Sequence, residues 1–186
     1  MEIRPLTLAD LDLLADIDAT IESTRYLHVH QSGEGLSLGW SLEERTLREK
    51  FIQSNPVDDN AAFLFRQIAS GADEGLALVA EHQGMLVASM LAHLRPDTRT
   101  LRLVDLRVDS DYRRQGIGSA LVFQSIREAR DRELRAVKAV SSTSNVPAAQ
   151  FLLKAGFEPT GLDLKRTSNH DLVKEVVTLF WYASLD

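Results

Sequence analysis

The chain has 186 residues, of which 44% are hydrophobic and 26% are charged, values that are ordinary for a soluble globular protein with one hydrophobic core. Its formal net charge of −6 argues against general nucleic-acid binding, which needs a basic face, and is compatible with a small cationic ligand. The absence of cysteine excludes a disulfide scaffold, a cysteine metal site and a cysteine nucleophile. No apolar stretch approaches the ~18 residues of a membrane span. We therefore expect one cytoplasmic domain over residues 1–186, with no membrane or nucleic-acid partner.

The first third of the chain contains weak helix and loop signals. Residues 2–6 are compatible with a strand, and residues 7–10 resemble a capping box that begins a helix. Residues 25–39 contain three glycines and two histidines, which predicts an irregular loop. A second capping box opens residues 41–51 and predicts a charged helix that ends before Pro56. Residues 58–70 fit either a helix or a strand, and we favour a helix.

The rest of the chain indicates strands connected by helices. The segments 76–81 and 85–94 flank a His-Gln-Gly turn and predict a hairpin, which residues 101–108 extend to a meander. A helical apolar stripe follows over residues 119–130. The remaining predicted elements are a short strand at 136–140, a helix beginning near Pro147, a strand around 162–165 and a final apolar run at 176–182. This order is typical of a mixed α/β protein with crossover helices and a closing hairpin.

The most informative local pattern is the basic, glycine-punctuated turn at residues 113–118, Arg-Arg-Gln-Gly-Ile-Gly. It lies between a predicted strand and a predicted helix, so its backbone N–H groups gather at a helix N-terminus that attracts anions. Two glycines allow positive φ there, and the arginines add charged donors. The third glycine of a dinucleotide fingerprint and the Gly-Lys-Ser/Thr of a P-loop are both missing. The pattern therefore predicts a pyrophosphate site of another type.

Two motifs in this order resemble those of the GNAT N-acetyltransferase superfamily. Residues 108–118 resemble its acetyl-CoA-binding motif, V-D-P-x-Y-R-x-x-G-x-G, with Ser110 in place of the frequent proline. Residues 145–157 resemble its later N-x-x-A-x-x-L-Y-x-K-x-G-F segment, in which Pro147 suits a first helical turn and Gly156 a helix end. Residues 178–182 and 105–108 also resemble the streptothricin acetyltransferase branch.

The resemblance implies the GNAT fold, a mixed and mostly antiparallel sheet with flanking helices. Two parallel strands, here 101–108 and 136–140, would splay at a β-bulge and hold acetyl-CoA in the gap. The implied cofactor-binding residues are Leu106, Arg107, Val108, Arg113, Arg114, Gln115, Gly116, Ile117, Gly118, Ser119 and Asn145. For Asn145, a helix N-cap is an equally good interpretation.

The resemblance also implies transfer of an acetyl group to a primary amine by direct attack in a ternary complex. An alkylammonium group has a pKa near 10, so a base must remove its proton. Asp105 is the first candidate for this base, although it could instead orient the substrate or pair with Arg107. Glu81, His82 and His93 are weaker alternatives.

The general acid is the main departure from the family pattern, because Leu152 occupies the position of its frequent tyrosine. Tyr182 is the candidate substitute, and Tyr112, a water molecule or unassisted departure of the thiolate are alternatives. His28 and His30 are too few ligands to predict a metal, so we expect none.

The acceptor is expected to be an amine on a small molecule, with a peptide or protein amine as the alternative. Residues 26–75 differ most from the family pattern, and this region often builds the acceptor pocket in the superfamily. A non-catalytic acyl-CoA sensor that lost the acid, and a module that binds ATP or NAD, are rival interpretations. The resemblance is also compatible with a homodimer.

Overall fold

The computed structural model describes residues 1–185, whose contacts divide them into two compact units. The first unit contains Met1–Thr20, Ser54–Ala139 and residues 182–185, and the second contains Ile21–Gln53 and Val140–Trp181. The single domain expected from the sequence stays a prediction. No helix in residues 1–185 is long and apolar enough to cross a membrane.

The described residues form nine β-strands, three α-helices and three 3₁₀ segments. The strands are β1 (Glu2–Pro5), β2 (Ile21–Ser32), β3 (Gly39–Gln53), β4 (Gly75–His82), β5 (Met85–Arg95), β6 (Thr100–Val108), β7 (Ala136–Ser142), β8 (Glu158–Asp163) and β9 (Thr178–Ser184). The helices are α1 (Asp59–Ala69), α2 (Ile117–Asp131) and α3 (Val146–Lys154), and the 3₁₀ segments are Leu8–Asp16, Pro96–Thr98 and Ser110–Tyr112.

In the described chain, seven strands form one sheet in the order β1-β4-β5-β6-β7-β9-β8. The β1/β4, β4/β5 and β5/β6 pairs are antiparallel, whereas β6 and β7 are parallel. This arrangement confirms the mixed, mostly antiparallel sheet with a parallel pair and flanking helices. The predicted meander and the helices at 58–70, 119–130 and Pro147 are also confirmed. The strand expected around 162–165 lies about four residues earlier in the chain, as β8.

The core of the first unit lies between the sheet and the segments Leu8–Asp16 and α1. Phe65 of α1 and Val79 of β4 are fully buried there, together with Leu14 of the 3₁₀ segment. Asp58 caps α1 by accepting a hydrogen bond from the Ala61 N–H at 2.7 Å. Leu8–Asp16 begins at the predicted capping motif, since the Asp10 carboxylate accepts the Thr7 N–H at 2.8 Å, but it continues as a 3₁₀ helix.

In the second unit, β2 and β3 form a separate two-stranded antiparallel sheet, so the predicted loop at 25–39 and the charged helix at 41–51 were wrong. Both strands are largely exposed on their two faces and therefore lack the period-two alternation that marks a half-buried strand. Cross-strand ion pairs join Arg25 to Glu44 and Glu22 to Lys50. These contacts join residues about twenty to thirty positions apart, beyond the reach of a local capping pattern.

The connection between β8 and β9 is organised by Asp171, which is fully buried. Its carboxylate accepts hydrogen bonds from Ser168 Oγ at 2.7 Å and from the Thr167 N–H and Oγ1 at 2.8 Å each. The Ser168 bond, followed by the Thr167 bonds, lowers the pKa of Asp171 to about 2.

We expect this carboxylate to make the free energy of unfolding depend on pH. Because its pKa in the folded state lies below the ~3.9 of an unfolded aspartate, its stabilisation is present above about pH 4 and is lost as the pH falls through about 2. In Asp171→Asn, the free energy of unfolding measured with urea should therefore fall less steeply at acidic pH. In Ser168→Ala, the fall should occur at a higher pH than in the wild type. An acid limb that is identical in wild type and Asp171→Asn would contradict this assignment.

Candidate functional site

Strand β6 contains a β-bulge in the middle of its length. Leu91 of β5 pairs with Asp105, but the next residue, Ala92, pairs with Leu103, so Val104 is the extra residue of β6. A bulge of this kind reverses the faces of the residues that follow it. The bulge that the family resemblance implies is therefore present, one residue before the candidate base Asp105.

After the bulge, Asp105 and Arg107 face the core of the first unit. Asp105 pairs with Leu91, which packs in that core with Leu14, and Arg107 pairs with Ser89 on the same side of β5. Directly opposed residues of an antiparallel ladder place their side chains on the same face. The two charged side chains consequently point toward Leu8–Asp16 and α1.

The parallel pairing of β6 with β7 is short. Within the described chain it covers three residue pairs and ends at Arg102 and Lys138. Residues 103–108 of β6 continue without a β7 partner in that register. The strand pair therefore opens toward the carboxyl end of β6, as expected for the splayed parallel strands.

The backbone of β6 presents hydrogen-bonding groups on its open side. The Asp109 N–H donates to the Val87 carbonyl oxygen of β5 at 2.9 Å. Because backbone groups alternate in direction along a strand, those of Leu106 and Val108 point away from β5. These backbone groups lie beyond the paired part of β7. An extended ligand can form hydrogen bonds with them in the way that an added β-strand does.

A turn with two positive φ angles follows β6 and leads to α2. Gly116 has φ of 84°, in the left-handed region predicted for it, and Arg114 has φ of 64°. Gly118, the second glycine of the motif, has no positive φ because it already belongs to the first turn of α2. In residues 1–185, the first backbone N–H of α2 with a protein acceptor is that of Ala120, which donates to the Gly116 carbonyl oxygen at 2.9 Å. The N–H groups of Ile117, Gly118 and Ser119 thus have no protein acceptor in the described chain, as at any helix N-terminus.

Side chains of the motif tie this turn to the segment before β2. Asp109 accepts the Asp18 N–H at 3.0 Å, and Ser110 Oγ donates to the Asp18 carboxylate at 3.1 Å. The Arg113 guanidinium donates to the carbonyl oxygens of Val108 at 3.1 Å and Asp18 at 3.4 Å. Arg113 therefore supports the turn with its side chain, whereas Arg114 and Gln115 are exposed.

The shape and charge of the turn suit a pyrophosphate group. A Cβ atom added to Gly116 would meet no other group within 4 Å, so the space in front of the turn is open. The N–H groups without an acceptor at the helix N-terminus and the exposed Arg114 both favour binding of an anion. The residues present therefore fit the phosphate portion of CoA.

Asp105 and Arg107 form a buried bidentate ion pair. Arg107 Nε and Nη2 donate to the two carboxylate oxygens of Asp105 at 2.8 and 2.6 Å, and Nη1 donates to the Asn55 carbonyl oxygen at 3.0 Å. The side chain of Arg107 is 2% exposed and that of Asp105 is 12% exposed. Pairing with Arg107 is one of the two alternatives that the sequence left open for Asp105.

A pocket of about 300 Å³ lies beside this ion pair. Arg107 forms part of its wall, together with apolar residues of the 3₁₀ segment, of the stretch before α1 and of α1 itself, including Leu11, Ile17, Val57 and Ala62. Sequence periodicity does not reveal this pocket, because its walls come from three segments far apart in the chain.

In the second unit, Asn145 is the N-cap of α3. Its Oδ1 accepts the Ala148 N–H at 3.2 Å, with Pro147 in the first turn. The capping interpretation is therefore what the structure shows, and the contact with CoA stays a prediction. Leu152, which replaces the family tyrosine, is buried in the same helix.

Asn145→Ala should lower the free energy of unfolding by about 1 kcal/mol because α3 loses its cap. Asn145→Asp keeps a capping oxygen and should retain most of that stability. Urea unfolding measures the first effect, and acetyl-CoA titration of Asn145→Asp measures any separate role of the amide. If Asn145→Ala is as stable as the wild type, the cap does not stabilise the protein.

The candidate acid Tyr182 lies beside two cations of the first unit. Its ring centroid is 5.3 Å from Lys138 Nζ and 5.9 Å from Arg135 Cζ. Lys138 pairs with Arg102, four residues before Leu106 on β6. The role of Tyr182 as the acid stays a prediction.

The other titratable candidates of the first unit have partners of their own. Glu81 accepts hydrogen bonds from Arg4, and His93 Nε2 lies 3.0 Å from Asp73. The Tyr112 ring packs edge-on against His82 with centroids 5.7 Å apart.

Neither histidine singled out in β2 belongs to a metal cluster. His28 Nδ1 lies 2.9 Å from Glu175 Oε1 in the second unit. Residues 1–185 contain no group of three or more His, Cys, Asp or Glu side chains that could hold a metal ion.

Comparison with known proteins identifies the family. A family model described as the acetyltransferase (GNAT) family matches residues 40–157, more than half of the chain. The chain belongs to the GNAT acetyltransferase family. The resemblance drawn from the two motifs is thereby confirmed.

The relatives of this GNAT protein include streptothricin acetyltransferases. Streptothricin acetyltransferase A of Bacillus subtilis (strain 168) is 30% identical over 78 residues, which span 42% of this chain and 44% of that protein, so the match covers less than half of its length. The crystal structure of nourseothricin acetyltransferase has a TM-score of 0.80 at 20% identity and covers 100% of this chain and 98% of its own.

A further structural neighbour from Bacillus anthracis str. Ames, provisionally assigned as a streptothricin acetyltransferase, was solved with acetyl coenzyme A. It has a TM-score of 0.77 at 19% identity and covers 100% of this chain and 97% of its own. These structural likenesses show a shared fold. The resemblance to the streptothricin acetyltransferase branch agrees with the partial sequence match to the Bacillus subtilis protein.

Proposed function

We propose that this protein is an acetyl-CoA-dependent N-acetyltransferase that transfers the acetyl group to a primary amine of a small molecule. The observation that carries this proposal is the succession along β6 of a bulge, an open run of backbone groups and a positive-φ turn at the start of α2. Each part matches a different portion of acetyl-CoA. Membership of the GNAT family supports the same conclusion.

The phosphate and pantetheine portions would bind to backbone groups. The N–H groups of residues 115–119 would hold the pyrophosphate, with Arg114 nearby as an exposed cation. Leu106 and Val108 would pair with the pantetheine arm through their open backbone groups. Arg107 lies between these two residues on β6, but its side chain pairs with Asp105 and points toward the core of the first unit.

Acetyl-CoA supplies an activated acetyl thioester, and the residues of the chain position it and the amine. We propose Asp105 as the group that receives the amine proton, directly or through water, because it is the carboxylate that follows the bulge on β6. A carboxylate has about four lone-pair positions, so two remain when Arg107 occupies two. Direct attack in a ternary complex needs no covalent intermediate, in keeping with the absence of cysteine.

The departing thiolate needs little assistance, since a thiol has a pKa of about 8.5. For that reason Leu152 does not exclude turnover, and Tyr182 or water are the remaining candidates for an acid. A second candidate function, a non-catalytic acyl-CoA sensor, is favoured by one observation: the family tyrosine is replaced by a buried leucine.

Streptothricin is the first acceptor to test, because the Bacillus subtilis relative is named for it. A peptide with a free N-terminus is the second, since a ribosomal-protein-S18-alanine N-acetyltransferase from Escherichia coli shares the fold with a TM-score of 0.63 at 18% identity. The cytoplasmic location and the homodimer expected from the sequence stay predictions.

Thiol release from acetyl-CoA in the presence of these amines tests the proposal, and a protein without cysteine adds no thiol background. We expect amine-dependent release with at least one small amine. Tight acetyl-CoA binding without release for any amine would instead support the sensor. Release with peptides alone would assign the acceptor to the peptide class.

A further inference from the structure

The pocket beside Arg107 has apolar walls and one deeply buried charged group. Seven of its ten lining residues are apolar, and two of the three charged ones, Asp12 and Arg66, are exposed residues. Arg107 is the exception, because its side chain is 2% exposed. A ligand that fills this pocket would therefore bury apolar surface and meet a guanidinium group.

Arg107 has hydrogen-bonding capacity left after its contacts with the protein. A guanidinium carries five N–H donors, and three of them bind Asp105 and the Asn55 carbonyl oxygen. One N–H on each terminal nitrogen remains without an acceptor in residues 1–185. These two N–H groups can donate to an oxygen atom of a ligand.

A second polar group on the same sheet face also lacks a partner. Ser89 pairs with Arg107 across the β5/β6 ladder, and its Oγ is fully buried with no hydrogen-bond partner in the described chain. Ser89 does not line the pocket and is itself fully buried, so Arg107 is the group that a ligand in the pocket would reach.

The charge balance decides which ligand oxygen fits. Arg107 is already neutralised by Asp105, and the exposed Asp12 and Arg66 carry opposite charges. A carboxylate would add an uncompensated negative charge beside the buried Asp105, which is costly. A carbonyl oxygen of an amide accepts the same two N–H groups without adding charge.

We propose that this pocket binds the body of the amine acceptor, and that Arg107 selects acceptors whose apolar chain carries an amide carbonyl group. This inference rests on the proposed function, and it adds the substrate class. Arg107 lies on β6 between Leu106 and Val108, the residues proposed to pair with the pantetheine arm. The same strand would thus position the cofactor with its backbone and the acceptor with this side chain.

Two amines that differ in one group test the selection. 6-Aminohexanamide and heptylamine have similar length and similar amine basicity, but only the first has an amide. We expect 6-aminohexanamide to bind about tenfold more tightly in calorimetric titrations without acetyl-CoA, because a hydrogen bond to a charged group is worth about 1.5–3 kcal/mol. The KM values for acetylation should differ in the same direction.

Variants of the pocket complete the test. Arg107→Lys, which lacks the two remaining guanidinium N–H groups, should remove the preference for the amide. Ala62→Leu should weaken the binding of both amines about tenfold by filling the pocket, whereas Asn60→Leu, an exposed position on the same helix that does not line the pocket, should leave binding unchanged. Ala62→Leu decides the result if Arg107→Lys fails to fold.

Equal binding of the two amines to the wild type, or unchanged binding to Ala62→Leu, would overturn the inference. These outcomes are separate from a failure of the proposed function, which is measured by acetyl-CoA titration and thiol release. If acetyl-CoA binds and other amines are acetylated with no effect of Ala62→Leu, the inference fails and the function stands. If the amide binds but acetyl-CoA does not, the pocket stands and the function fails.

Discussion

Gly116→Glu is expected to lower the affinity for acetyl-CoA at least about 100-fold while the protein still folds. The new carboxylate would enter the open space in front of the turn, where the structure has no group within 4 Å of the Cβ position. A negative charge at about 4 Å from a phosphate opposes binding by about 4 kcal/mol at an effective dielectric constant of 20. Calorimetric titration with acetyl-CoA measures this loss.

Gly84→Glu is the matched control for this variant. Gly84 lies in the turn between β4 and β5, has φ of 81°, and likewise has no group within 4 Å of its Cβ position. Both substitutions therefore impose a similar left-handed strain of about 1–2 kcal/mol and the same change in charge. We expect Gly84→Glu to bind acetyl-CoA as the wild type does. Equal affinities of Gly116→Glu and wild type, or equal losses in both variants, would refute the assignment of the turn.

Asp105→Asn is expected to reduce both turnover and stability. Asparagine leaves the buried Arg107 guanidinium without its counter-charge, and breaking a buried pair in this way costs about 3–5 kcal/mol. The proposed proton acceptor is lost at the same time. Acetyl-CoA affinity should be retained, because the open backbone groups of Leu106 and Val108 do not involve this side chain.

The double variant Asp105→Leu/Arg107→Met separates stability from chemistry. Replacing both charges with apolar groups removes the uncompensated guanidinium, so the free energy of unfolding should recover to about the wild-type value. Turnover should remain lost. Urea unfolding and thiol release are the two measurements. Wild-type turnover in Asp105→Asn at every pH would show that Asp105 is not the base. Wild-type stability would show that breaking the ion pair does not destabilise the protein.

The parts of the site that depend on local chemistry could be predicted from the sequence. The turn at residues 113–118 is specified by its glycines and by the helix that follows, and Gly116 has the positive φ that this pattern requires. The two ends of α3 are similar. Asn145 is the N-cap, Pro147 lies in the first turn, and Gly156 has a positive φ just after the helix. Such features need no knowledge of distant residues.

The parts that depend on pairing between distant segments could not be predicted. The β2/β3 sheet is aligned by cross-strand contacts, and its exposed faces give no periodic signal. The family resemblance implies a bulge, but its position at Val104 depends on the register with β5, which alternation along one strand does not reveal. The bond from Arg107 to Asn55 joins residues 52 positions apart, so the pocket beside it was also hidden.

The central claim is that the turn after β6 binds acetyl-CoA, and calorimetric titration of the purified protein tests it most directly. Acetyl-CoA should be titrated beside CoA, ATP and NAD. We predict micromolar binding of acetyl-CoA, with ATP and NAD much weaker, since neither nucleotide fingerprint is present in the chain. No binding of acetyl-CoA, or equally tight binding of ATP, would contradict the account and remove the basis for an acetyltransferase.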